Sequence, residues 1–166
     1  MKPRDFLWLT LRQPTASEQV SRLGGAEVAK VLRAPRRVEA VLLEPPAERS
    51  DVPARDYHEI GQPIEASADV AADVIHQLLT PELNRVMGTG GKACLTRWAV
   101  RISYFSDADR VDLYLCFQCT ELLVDHNGSE AGRIDIFFIS DQLLRDALKL
   151  FPDDAGLNQL ARHRLE

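Results

Sequence analysis

Two periodicities divide the chain. Residues 15–33 carry Val20, Leu23, Val28, Val31 and Leu32 at roughly helical spacing, with Gly24-Gly25 splitting the run and Pro35 ending it. Arg36 to Leu43 then reads as a strand, alternating through Val38, Ala40 and Leu42 until Pro45-Pro46 stops pairing. A loop from Pro45 to Ala54 leads to a short extended piece, Tyr57 to Ile60, that reaches Gly61. Ser67 is the expected N-cap of a helix burying Val70, Val74, Ile75, Leu78 and Leu79, and Thr80-Pro81 opens a further short turn.

From Cys94 onward the period is two. Trp98, Val100, Ile102 and Tyr104 share one face, Ser106 to Asp109 form a turn, and Val111, Leu113, Leu115 and Phe117 continue the apolar face. A hairpin with Phe105 opposite Arg110 pairs Val100 with Leu115, Ile102 with Leu113 and Trp98 with Phe117, so apolar residues meet apolar residues. Arg97, Arg101, Asp112 and Asp135 then form a charged outer face. Alternation fails between Gln118 and Glu121, and a β-bulge inside one long strand, Val111 to Val124, is the simplest repair. A turn over Asp125 to Gly128 introduces a strand with Ile134, Ile136 and Phe138 on its core side. Ser140 caps a helix carrying Leu143, Leu144, Ala147, Leu148 and Phe151, which Pro152 closes. The expected fold is α+β: an antiparallel sheet of about four strands with helices packed on one face. Residues 1–166 form a single domain, of which 1–35 are a basic helical N-terminal segment.

Composition excludes several classes. With 45% hydrophobic and 27% charged residues, the chain matches neither a disordered nor a membrane protein, and no stretch approaches the ~20 apolar residues of a membrane span. The apolar run Phe6 to Leu9 is too short for a signal-peptide core, so the expected setting is cytoplasmic. The net charge of −5 is unevenly spread. Residues 1–37 hold eight Lys/Arg against three Asp/Glu, a net of +5, which leaves −10 for residues 38–166. The basic residues sit at helical intervals without interleaved aromatics, which describes a solvated helix face and argues against nucleic acid.

Cys94, Cys116 and Cys119 are the one chemical constellation. An odd count in a chain too long to need stapling leaves at least one thiol unpaired. A bulge puts Cys116 and Cys119 on one side of the sheet, and the hairpin register brings Cys94 opposite Glu121, so all three meet at one irregular point. Three thiolates lack the fourth ligand that zinc prefers, because an extended strand carries His126 ~23 Å from Cys119. Buried structural thiols are the expected outcome, with metal binding or redox chemistry as the competing reading.

A Cys entering an antiparallel strand that contains Arg101, a strand ending in Cys116-Phe117-Gln118-Cys119, a hairpin and a Leu-rich helix together resemble a group of small uncharacterised bacterial proteins over residues 57–152. Members of that group often show Asn-Pro-Arg-His-Gly after the first Cys, where this chain has Leu95-Thr96-Arg97-Trp98-Ala99. The resemblance implies the fold and the nearness of the cysteines.

Weaker patterns are Gly88-Thr89-Gly90-Gly91-Lys92, which lacks the hydroxyl residue after Lys that a P-loop requires, a possible Asp73–His76 pair, and Asp107, Asp109 and Asp112, which lack the remaining features of a calcium loop. No catalytic constellation and no cofactor motif stands out. The resulting expectation is a non-enzymatic binding or regulatory module that recognises a protein partner through its acidic surface or outer sheet face, with toxin neutralisation as a specific form. The alternative is a thiol-centred protein in which Cys94, Cys116 and Cys119 bind metal or respond to oxidation.

Overall fold

The computed structural model describes residues 11–46, 52–86 and 94–165. The Gly-rich segment at 88–92 and the run Phe6 to Leu9 lie outside them. Among the described residues, helices α1 (Ala16–Arg22), α2 (Ala26–Arg33), α3 (Ala68–Leu79), α4 (Ser140–Leu150) and α5 (Ala155–Arg164) accompany six strands. The strands are β1 (Arg37–Glu44), β2 (His58–Glu65), β3 (Val100–Phe105), β4 (Arg110–Cys116), β5 (Glu121–His126) and β6 (Ser129–Asp135). They form one antiparallel sheet in the order β2-β1-β3-β4-β5-β6.

Local chemistry accounts for the helix ends. Thr15 and Glu18 make a reciprocal capping box at α1, and Ser67 accepts from the Val70 N–H at α3. Gly24 and Gly25 adopt φ of +112° and +95°, a region L side chains avoid, and so separate α1 from α2. Helix α4 begins at Ser140, with Ile139 at the cap position. The Ser140 hydroxyl donates back to the Phe137 carbonyl instead of accepting from the helix.

One core fills the space between helices and sheet. Leu23, Val28 and Leu32 from the first two helices meet Val74 and Leu78 of α3, Leu143 and Leu144 of α4 and Leu157 of α5 over Val100, Ile102, Leu113, Leu115, Leu122 and Val124. Each fully buried side chain of this size contributes about 1.5–3 kcal/mol. The described part of the basic N-terminal segment therefore packs on the body through its apolar stripe. The other sheet face carries a smaller cluster, Val41, Leu43, Trp98, Tyr114, Leu123 and the two sulfurs of Cys116 and Cys119, covered by Ala54 and Tyr57.

The β3–β4 pairing has the expected register, with Val100 opposite Leu115, Ile102 opposite Leu113 and Phe105 opposite Arg110. It stops at Val100. Upstream the chain leaves strand geometry, so Trp98 joins the smaller cluster while Phe117 enters the main core, and the expected Trp98–Phe117 pair does not form.

The sheet has six strands where about four were expected, for two reasons. First, the break in alternation after Gln118 is a hairpin and not a bulge. Residues 117–120 turn, Thr120 takes φ +52°, and β5 runs back along β4 with Glu121 opposite Cys116. The Arg164 guanidinium of α5 donates to the Phe117 carbonyl at 2.8 Å and pins this turn. Second, β2 continues past Gly61. The residues between Ile60 and Ile64 outnumber the single Val41 opposite them, a bulge that Gly61 (φ +77°) and Pro63 occupy without breaking the strand. On the last strand Ile134 and Ile136 are buried as expected, but Phe138 is exposed. The ladder ends at Asp135, whose carboxylate accepts from the Phe137 N–H and turns the chain.

Candidate functional site

The thiols meet at the β4–β5 turn. Cys94 and Cys119 form a disulfide with Cα atoms 5.8 Å apart, joining the segment before β3 to the turn. Cys116, the last residue of β4, is a free and fully buried thiol. Its sulfur accepts the backbone N–H of Arg97 at 3.3 Å and that of Cys119 at 3.4 Å. The expectation of three buried structural thiols is corrected accordingly: nearness of the sulfurs favours a covalent pair, and one thiol remains. The convergence itself holds, produced by a reversal of the chain where a bulge was expected. Bonded to each other, Cys94 and Cys119 offer no thiolate to a metal. Among the described residues no group of three His, Cys, Asp or Glu side chains is placed to hold one.

Beside the disulfide, on the face the helices leave open, lies a cleft of about 410 Å³. Tyr57, Trp98, Tyr114 and Leu123 line its base, and Arg55, Arg97 and Arg133 stand around it with Asp125 and Glu130. Trp98 and Tyr114 pack edge to face with centroids 6.3 Å apart, and the Arg133 guanidinium lies 5.7 Å from the Trp98 ring centroid. Glu121 braces the two walls: one carboxylate oxygen accepts from the Thr96 hydroxyl at 2.7 Å, the other from Arg133 at 2.8 Å. Glu130 also receives Arg133, and these two carboxylates hold the guanidinium pKa above its usual value. Burial raises the pKa of the Tyr57 phenol and pushes that of Tyr114 up to about 12, the Asp112 carboxylate adding to the second. Both present neutral hydroxyl groups at neutral pH.

The charged outer face continues away from the cleft. Asp112, buried among strands, accepts from the Ser103 hydroxyl at 2.5 Å and from Arg110 at 2.8 Å, and Arg101 bridges to Glu59 at 2.6 Å. Arg97 does not join this ladder, since it lies on the non-strand segment at the cleft. The three turn aspartates are drawn apart by separate partners: Asp107 pairs with Arg36, Asp109 with Asn127 and His126, and Asp112 points into the sheet face. Asp73 pairs with Lys149 of α4 and His76 with Thr80, so these two helical neighbours take other partners.

Sequence reasoning placed Cys94, Cys116 and Cys119 together but missed Arg55, Tyr57, Tyr114 and Arg133 as parts of one site. Tyr57 and Arg133 lie far apart in the chain and meet only across the folded sheet. The class so defined is an α+β protein with a six-stranded antiparallel sheet, helices contributing to a single main core on one face, and a disulfide-edged aromatic cleft on the other. No family model, no curated protein and no solved structure matches the chain. Among the described residues no helix is long and apolar enough to cross a membrane.

Proposed function

We propose that this protein is a non-enzymatic binding module that recognises a protein partner through the open face of its sheet, in a regulatory or toxin-neutralising role. The cleft carries this reading. Aromatic residues and arginine are the side chains most enriched where protein interfaces concentrate their binding energy, and here three arginines surround an aromatic base of Tyr57, Trp98 and Tyr114. The acidic surface, the other route expected from the sequence, becomes the less specific of the two. Arg97 has an exposed side chain and Arg55 likewise, so both can be changed without disturbing the core.

The test is capture from extracts of the native host by the wild-type protein and by the Arg55→Glu, Arg97→Glu double variant. A partner held by the wild type and lost from the variant is the expected result. A partner held equally by both overturns the cleft as the recognition surface. Turnover in a hydrolase or reductase screen, with no partner recovered, overturns the binding reading.

One observation favours the second reading, a thiol-centred redox-responsive protein. In the cytoplasmic setting expected from the sequence, disulfides are rare and mostly transient or redox-sensing. A Cys94–Cys119 bond in that setting belongs with those.

A further inference from the structure

We propose that Cys94, Cys116 and Cys119 form an internal thiol–disulfide exchange centre, which moves the free thiol from the buried position 116 to the exposed position 94 at the edge of the cleft. The inference goes beyond partner recognition and does not depend on it.

Three placements carry it. Cys116 ends β4 and Cys119 lies three residues on, inside the turn that follows, and both belong to the same buried cluster on the open sheet face. The Cys116 sulfur is contacted by the N–H of Cys119 itself and by that of Arg97, three residues after Cys94, so both halves of the disulfide are anchored against the third thiol. These two N–H groups direct their positive ends at the sulfur, an arrangement that steadies negative charge there during attack. Finally, the accessibilities are opposite: Cys116 is 0% exposed, whereas Cys94 is exposed and lines the cleft.

The exchange balances without an outside oxidant or reductant. A single water molecule, small enough to enter from the cleft where an alkylating reagent is not, takes the Cys116 proton, and the thiolate attacks the Cys119 sulfur. The Cys116–Cys119 bond forms, the Cys94–Cys119 bond breaks, and Cys94 leaves as a thiolate that takes a proton from solvent. One disulfide and one thiol stand on each side. Before exchange the free thiol is sealed from external reagents. Afterwards it is a nucleophile in the cleft, open to alkylation or to mixed-disulfide formation with a small disulfide. The Thr96–Glu121 hydrogen bond still holds the segment to β5 after release, so the cleft wall need not come away.

The chain supplies its own readout. Cleavage after Lys92, Arg97, Arg110 and Arg133 puts Cys94 in peptide 93–97 and both other cysteines in peptide 111–133. The native protein, without reductant, is held with iodoacetamide at mildly alkaline pH, quenched in acid and digested without reduction. The expected result is alkylated 93–97 accumulating together with an internally bridged 111–133. In Cys116→Ser the cross-link between the two peptides persists, and labelling of Cys94 is at least about ten-fold slower. The wild-type time course decides the matter even where the variant folds poorly. A cross-link that survives in the wild type, with Cys116 labelled only in denaturant, overturns the proposal. Labelling of Cys116 in the native protein overturns it as well.

Discussion

Gly132 of β6 lies directly against the Arg22 carbonyl at the end of α1. A Cβ added at 132 would meet that oxygen and stand 3.0 Å from the Leu23 carbonyl carbon, with neighbours that are backbone and unable to rotate away. Hydrogen is the only side chain that fits where the first helix docks on the last strand. Gly132→Ala should destabilise the protein by about 1–3 kcal/mol through overpacking, visible as a lowered midpoint in thermal or urea unfolding. An unchanged midpoint would mean that α1 does not pack on β6 this closely.

Asp146 of α4 is fully buried and holds two elements together, accepting from Gln77 of α3 at 2.6 Å and from Lys149 at 2.7 Å. Asp146→Ala leaves the Gln77 amide without its acceptor inside the helix layer and should cost about 1–3 kcal/mol. Asp146→Asn keeps an oxygen for Gln77 and should cost less. Equal losses in the two variants would assign the effect to the Lys149 pair instead.

All three tyrosines of the chain, Tyr57, Tyr104 and Tyr114, have pKa values raised chiefly by burial, that of Tyr114 to about 12 from an ordinary 10.0. The unfolded chain ionises its phenols from about pH 10 while the folded chain keeps them protonated. Stability from this source is whole below pH 10 and falls as pH rises from 10 through about 12. Phenolate absorbance should therefore stay low at pH 10 in the native protein and rise together with loss of helical circular dichroism. Phenolate signal from more than one tyrosine near pH 10 with intact dichroism would contradict the burial of Tyr104 and Tyr114.

Glu18 behaves in the opposite sense. The Arg12 guanidinium first, then the Thr15 N–H, bring its carboxyl down from 4.5 to about 2. A depressed carboxylate pKa stabilises the fold above pH 4.5, and that contribution is lost as pH falls towards 2. The group is solvent-exposed, so the effect is a small shoulder on the acid unfolding curve. Glu18→Gln keeps an acceptor for Thr15 but removes the ion pair, and the shoulder should disappear. If it persists, another carboxylate is responsible.

Much of this architecture is written locally. The Gly24-Gly25 break needs only the conformational freedom of glycine, the α3 start needs only the Ser67 hydroxyl, and the β3–β4 register follows from matching apolar positions across one short turn. The four-residue reversal at Phe117 to Thr120 is different. It contains no Gly, Pro or Asn, and lost alternation alone suits a bulge as well as a hairpin. What selects the hairpin is long-range: β6 pairs along the other edge of β5, the Ile136 N–H bonds the Thr120 carbonyl, and Arg164 from the far end of the chain holds Phe117.

In the sequence by itself, strand alternation and the β3–β4 register already bring the three cysteines near one point, but through a bulge and an upstream strand that the fold replaces with a hairpin and a non-strand segment. Long-range packing settled the rest: two of them bond, the third is sealed in the same cluster, and the pair edges an aromatic cleft. The reason is physical. Facing follows from local backbone periodicity, whereas burial, covalent pairing and a cleft depend on which distant segment covers which face. Here that is set by Ala54 to Tyr57 and by residues 94–98 crossing the open side of the sheet.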